Sequence, residues 1–216
     1  FSADFRAHVV ARIIPGVLEH HDRAAFDVFA YSYGPDDRSP ERQRIRDACT
    51  AFIDIRAFSD DDAARKIRDD GVDILVDMDG YSGNIRHQVP ARRPAPVQIG
   101  WLGYPGTTGS AALDYLVADR VVIPEDRRHQ YSEKIIYLPD SFQASATTWG
   151  IADKIFTRDE LSLPSSGFVF CSFNSIYKVT PRTFDVWMRI LRKTEGSVLL
   201  IYTDNAPSAA NLKIEA

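Results

Sequence analysis

Three stretches carry side chains whose types and spacing could do chemistry. In Ser2-Ala-Asp-Phe-Arg-Ala-His8, an aspartate and a histidine stand four residues apart, just beyond a short apolar opening. Neutral imidazole is available near pH 7, so His8 could orient a hydroxyl or accept its proton. Asp4 could share that task, or simply cap the following helix. In Asn174-Ser-Ile-Tyr-Lys178, the lysine comes just before Thr180-Pro181, which reads as a helix start. Lys178 there joins free N–H groups and a positive dipole end, a natural site for phosphate. The third stretch, Gly103-Tyr-Pro-Gly-Thr-Thr-Gly109, brings backbone N–H groups and the Thr107 and Thr108 hydroxyls to the end of a short apolar segment. Two acidic groups invite a metal reading and do not carry it. Asp60-Asp61-Asp62 follows Ser59 as the first turn of a helix, without the alternating spacing of a cation loop. Asp77-Met-Asp79 ends a strand.

The elements that must position these residues alternate. Phe1–Phe5 reads as the tail of a strand. Arg6–His21 has helical spacing, interrupted at Pro15-Gly16. Strands are expected at 26–33, 52–55, 72–78, 97–102, 113–118 and 134–138, with helices at 42–50, 60–70 and 124–131 between them. This is an α/β pattern, a parallel sheet covered on both faces, over residues 1–140. Residues 141–150 turn polar and small and read as a linker. A second unit, 151–216, begins with a short helix ending near Leu161. A strand at 167–173, a helix from Thr180 to Lys193 and a strand at 197–202 follow. Open parallel sheets bind ligands outside the carboxyl ends of their strands. The loops 4–8, 79–86, 103–109 and 174–178 all fall at such ends.

Composition narrows the classes. A formal charge of −4 and an isoelectric point near 5.7 argue against a nucleic-acid surface. No apolar run approaches the roughly 18 residues of a membrane span, and no signal peptide is legible. Cys49 and Cys171 are too few for a disulfide framework, and their placement, one in a polar helix and one in a strand, gives no metal spacing, so a reducing cytoplasm is the expected compartment. The chain starts without methionine and stops inside an alanine-rich helical stretch, as a piece of a longer protein would.

Taken together, Ser2–His8, Asp79-Gly-Tyr81, Arg93-Pro-Ala-Pro-Val-Gln98, Trp101–Gly109 and Cys171–Lys178 resemble, in order, the catalytic region of the protein O-GlcNAc transferase family, to which the SPINDLY O-fucosyltransferases also belong. The resemblance implies a GT-B-like fold, one Rossmann-like lobe and the beginning of a second, incomplete nucleotide-sugar-binding lobe. It implies an inverting transferase that moves N-acetylglucosamine from UDP-GlcNAc to Ser or Thr hydroxyls of proteins, with no metal or other cofactor. Tetratricopeptide repeats upstream are implied as well. His8 matches the family's active-site histidine, and Asp4 an aspartate considered there as a base. Tyr177 and Lys178 match the pair near the donor, with the lysine facing the diphosphate. Leu102 and Gly103 match backbone positions near the sugar, Tyr81 and Arg86 match cleft residues, and Thr107 lies in the donor-side loop. Val9-Val10 replaces the family's usual Pro-Thr after the histidine. Two alternatives stand beside this reading: O-fucose transfer from GDP-fucose, and a catalytically silent protein-binding module with a degenerate cleft.

Overall fold

Local signals set most of the helix starts. Ser39, Ser59, Thr180 and Asn205 each accept a hydrogen bond from a backbone N–H of the first turn, and Pro follows within two positions at three of them. The structure, a computed structural model, describes residues 1–83, 85–144 and 152–216. It divides into two compact units, Phe1–Trp149 and Gly150–Ala216. Residues 145–150 of the stretch read as linker lie outside the described residues.

In the first unit the elements run α1 (Val9–Ile13), α2 (Pro15–Glu19), β1 (Phe29–Ser32), α3 (Pro40–Asp47), β2 (Ala51–Asp54), α4 (Asp60–Asp69), β3 (Ile74–Asp77), α5 (Gln88–Ala91), β4 (Val97–Gly100), β5 (Tyr115–Ala118) and β6 (Lys134–Tyr137). All strand pairs are parallel: β1 with β2, and β3-β4-β5-β6 in that order. The opening residues join these two sheets. Ser2 bridges Ser32 in parallel, its N–H bonded to Tyr31 O at 3.0 Å, and Met78 N donates to Phe1 O at 3.1 Å. The full order is therefore β2, β1, residues 1–3, β3, β4, β5, β6. Counting the opening segment as the first strand, this is the doubly wound order, and its direction of winding reverses between residues 1–3 and β3.

Successive strand residues point to opposite faces, so each strand feeds two cores. Tyr31 and Leu75 pack with Ile55, Ala63, Ala64, Ile67 and Val89 beneath α4 and α5. Ala30 and Met78 pack with Phe5, Val10, Ala11, Ile14, Ile45 and Leu102 beneath α1 to α3. The expected two-faced parallel sheet is present. The differences are local. The first helix begins at Val9 rather than Arg6, because Arg6–His8 form the loop into it. The 124–131 helix is a 3-10 segment, Glu125–Gln130. The short α5 carries no caps that a sequence could show.

The second unit holds β7 (Val169–Ser172) and β8 (Val198–Ile201), parallel, with α6 (Pro181–Lys193) between them and α7 (Ala206–Glu215) after them. The helix expected to end near Leu161 is a single turn. Thr157 and Glu160 make the helix-start pairing, Glu160 Oε2 accepting from Thr157 N at 2.8 Å. Ser162 then takes φ 52°, and Pro164 follows, so the helix does not propagate.

Candidate active site

The reversal point of a doubly wound sheet opens a crevice outside the strand ends, and here it lies where the 4–8 loop meets the loops after β3 and β4. Three hydrogen bonds fix the first of these. Ser2 Oγ accepts from Asp4 N at 2.9 Å, the buried Arg42 donates to Phe5 O at 2.8 Å, and Asp37 accepts from Ala7 N at 2.6 Å. The loop thus delivers His8 to the helix start as its N-cap, with the ring about one-third exposed.

Asp4 and His8 meet there. Asp4 Oδ2 is 3.2 Å from His8 Nδ1, and Oδ1 accepts from Arg6 at 3.0 Å. The same Nδ1 lies 3.3 Å from Val10 N. One ring nitrogen carries either a proton or a lone pair. Facing an ionised Asp4, Nδ1–H donates to the carboxylate, the charge-assisted choice, and Nε2 keeps its lone pair as a base. Facing a protonated Asp4, Nδ1 accepts from Val10 and the ring caps the helix. Asp4 therefore sets the tautomer. Burial holds the Asp4 carboxyl above its ordinary range, the Asp79 charge adds to that, and His8 and Arg6 oppose it.

The loop after β4 comes close to the backbone of β3. Leu102 turns with φ 82°, a conformation costly for a branched side chain, and buries that side chain among Phe5, Val10 and Met78. Gly103 N donates to Met78 O at 3.0 Å, and a Cβ on Gly103 would stand 2.2 Å from that oxygen. Only glycine fits this approach. Tyr81 is half exposed, its hydroxyl bonded to Thr108 O at 2.7 Å and its ring edge-on to Tyr104 and His87.

Two of the expected residues are occupied elsewhere. Arg86 spends its guanidinium on Asp60 and on the carbonyls of Ile55 and Phe58, holding the end of β2 to the start of α4. The Thr107 hydroxyl donates to the buried Glu133 at 2.7 Å and accepts from Gly109 N at 3.1 Å. Both secure loops. Arg42, Asp37, Ser2, Asp79 and Glu133 complete the architecture of the site. Ser2 and Asp79 fell inside motifs that the sequence singled out, without a role of their own; Arg42, Asp37 and Glu133 were passed over because charged residues on short elements read as solvent-facing.

In the second unit, β7 leads into a 3-10 turn, Ile176–Lys178, and then to Thr180, whose hydroxyl caps α6 at Thr183 N. Tyr177 and Lys178 are exposed, with the ammonium 5.9 Å from the Tyr177 ring centre. A cation two residues before the N-cap of a 13-residue helix is the arrangement that meets phosphate oxygens.

A doubly wound lobe with an imidazole–carboxylate pair at its reversal point, followed by a strand–loop–helix with a cation before the helix, is the α/β build of a GT-B-type glycosyltransferase catalytic region. The chain belongs to glycosyl transferase family 41, whose model matches residues 1–149 and 143–215. Among similar proteins, the Arabidopsis thaliana protein SEC, named as a probable UDP-N-acetylglucosamine–peptide N-acetylglucosaminyltransferase, is 34% identical over 92% of this chain. SPINDLY from the same plant, under the same probable name, is 35% identical over 93%. A Caenorhabditis elegans UDP-N-acetylglucosamine–peptide N-acetylglucosaminyltransferase is 32% identical over 74%. The matches span 21%, 22% and 14% of those relatives, so this chain corresponds to a minor part of their length. A solved structure of a mutant Thermobaculum terrenum O-GlcNAc transferase superposes with a TM-score of 0.85 at 30% identity, covering 99% of this chain and 40% of that one. No helix among the described residues is long and apolar enough to cross a membrane.

Proposed function

We propose that this chain is part of an inverting glycosyltransferase that moves N-acetylglucosamine from UDP-GlcNAc to Ser or Thr hydroxyls of proteins. The observation that carries the reading is the Asp4–His8 pair at the reversal point of a family 41 lobe. With Nδ1–H held by Asp4, His8 Nε2 is the atom that orients the acceptor hydroxyl or takes its proton. Lys178 and the α6 N-terminus meet the charge of the leaving diphosphate, Tyr177 lies beside them, and the backbone at Leu102 and Gly103 with Tyr81 lines the sugar side. The reaction so drawn calls for no metal. Residues 151–216 are the beginning of the donor lobe, joined through 141–150 to the acceptor-side lobe. Tetratricopeptide repeats ahead of Phe1 would select protein substrates in the cytoplasm, and neither nucleic acid nor membrane enters the scheme.

Identities of 34% and 35% to the SEC and SPINDLY proteins leave the branch to experiment. Titration of the full-length protein with UDP-GlcNAc and with GDP-fucose decides it. Saturable UDP-GlcNAc binding with sugar transfer to protein is the expected result. Saturation by GDP-fucose alone would replace the donor, and binding of neither would mark a silent protein-binding module.

A further inference from the structure

Asp79 is almost fully buried, 1% exposed, and its carboxylate gathers three separate strand ends. Oδ1 accepts from Ser2 Oγ at 2.6 Å; Oδ2 accepts from Ala3 N at 2.6 Å and from Tyr33 Oη at 2.5 Å. Ser2 Oγ in turn accepts from Asp4 N. One side chain after β3 thus holds the opening segment, the end of β1 and, through a single hydroxyl, the backbone of Asp4. Burying a carboxylate is costly unless every lone pair is matched to a donor. Here the donors are the groups that define where the 4–8 loop starts.

We infer that Asp79 is a positioning residue for the Asp4–His8 pair, acting through the Ser2 hydroxyl to hold Asp4 Oδ2 against His8 Nδ1 and so keep Nε2 unprotonated. The assignment rests on the proposed transfer reaction for its kinetic consequence, but not for its structural one. A loop displaced by about 1 Å can cost as much as a hundredfold in rate, and the 3.2 Å Asp4–His8 contact has little length to spare. The Asp79 charge works in the opposite direction, so the positioning rests on its hydrogen bonds. Asp79 opposes ionisation of Asp4, which is also faced by Arg6 and His8, while Tyr33 and Asp77 lie in the same buried group.

The experiment uses two variants. Ser2→Ala removes the relay and leaves the Asp79 charge; Asp79→Asn removes the charge and one of the two oxygens that accept from the strand ends. Nitrogen-15 NMR of the imidazoles in the 216-residue chain reads the His8 tautomer without any substrate. Wild type is expected mainly as Nδ1–H at neutral pH, and Ser2→Ala is expected to move His8 toward Nε2–H. In Asp79→Asn, the Asp4 carboxyl is expected to titrate at lower pH than in wild type. In the full-length enzyme, Ser2→Ala should lower kcat about 10-fold, within the range for misplaced catalytic groups, with the donor KM little changed. An unchanged His8 tautomer in both folded variants would overturn the assignment, as would lost activity with the tautomer intact. Unfolding of both variants would make Asp79 a stability residue only and overturn it equally. Should the full-length protein transfer no sugar, the tautomer alone decides, and it is the transfer reading that falls.

Discussion

Replacing Glu133 with Gln is expected to loosen the loop that carries Leu102 and Gly103 while leaving its shape nearly intact. Glu133 is 4% exposed, and four donors converge on it. Oε1 accepts from Thr108 N at 2.8 Å and from the Thr108 hydroxyl; Oε2 accepts from the hydroxyls of Thr107 at 2.7 Å and Ser132 at 3.0 Å. The Gln amide keeps one oxygen. On the other side, hydroxyls can rotate to accept from its NH2, so the loss is mainly of charge. A hydrogen bond to a charged group contributes about 1.5–3 kcal/mol against about 0.5–1.5 for a neutral one. Charge assistance is lost at all four bonds, and the smaller cost of burying a neutral amide offsets about half of that loss, leaving about 2 kcal/mol, or roughly 30-fold in the opening equilibrium.

The pH dependence gives a second check on Glu133. Burial would raise its pKa, but the hydrogen bonds from Thr107 and Thr108 hold it below the usual glutamate range. A depressed folded pKa means stability that is fully present above the unfolded value and lost as pH falls through the folded one. The gap between wild type and Glu133→Gln should therefore be largest near neutrality and close in acid. Hydrogen exchange over residues 97–118, pulse-labelled across a urea series at about pH 7 and about pH 3, reads this unit alone. A gap below about threefold near neutrality, far short of that expected loss, would refute the reasoning. So would a gap of the same size in acid.

Other expectations rest on the same geometry. Lys178→Met in the full-length enzyme should lower kcat about 100-fold or more by analogy with loss of an oxyanion donor, with the acceptor KM little changed. A kcat within about threefold of wild type, well short of that loss, would show the lysine to be a solvated loop charge. Gly103→Ala must push β3 and the β4 loop apart, since its Cβ would meet Met78 O at 2.2 Å. It should cost about 1–3 kcal/mol, and an unchanged urea midpoint would refute the close approach. Ile67, fully buried between α4 and the sheet, should cost about 2–5 kcal/mol on truncation to Ala, measured as a lowered urea midpoint at constant slope.

What the chain alone determined was whatever local chemistry decides. Ser39, Ser59 and Thr180 start helices because a short hydroxyl side chain satisfies a first-turn N–H wherever the chain folds. Runs such as Ile74-Leu-Val-Asp77 and Val169-Phe-Cys-Ser172 are strands because they are short, apolar and rich in β-branched or aromatic residues, which suit a pleated sheet better than a helix of so few residues. The loop positions at 4–8, 79–86 and 103–109 were legible too, since strand–helix alternation fixes which ends carry loops. Thr157–Glu160 shows the limit: a sound helix-start pairing formed one turn and stopped, because propagation needs helix-compatible residues downstream, and Ser162 at positive φ ends the run.

Tertiary structure alone decided the order of the strands and the partners of buried charges. Nothing local says that residues 1–3 lie between β1 and β3, yet this placement creates the reversal point and brings Asp79 beside Ser2, 77 positions away in sequence. The Arg86 and Thr107 side chains bond to Asp60 and Glu133, while Asp79, to which the sequence gave no partner, and Glu133, which it did not single out, hold the loops. The physical reason is that a buried polar group takes its role from the donors and acceptors the fold delivers to it, and those come from distant parts of the chain.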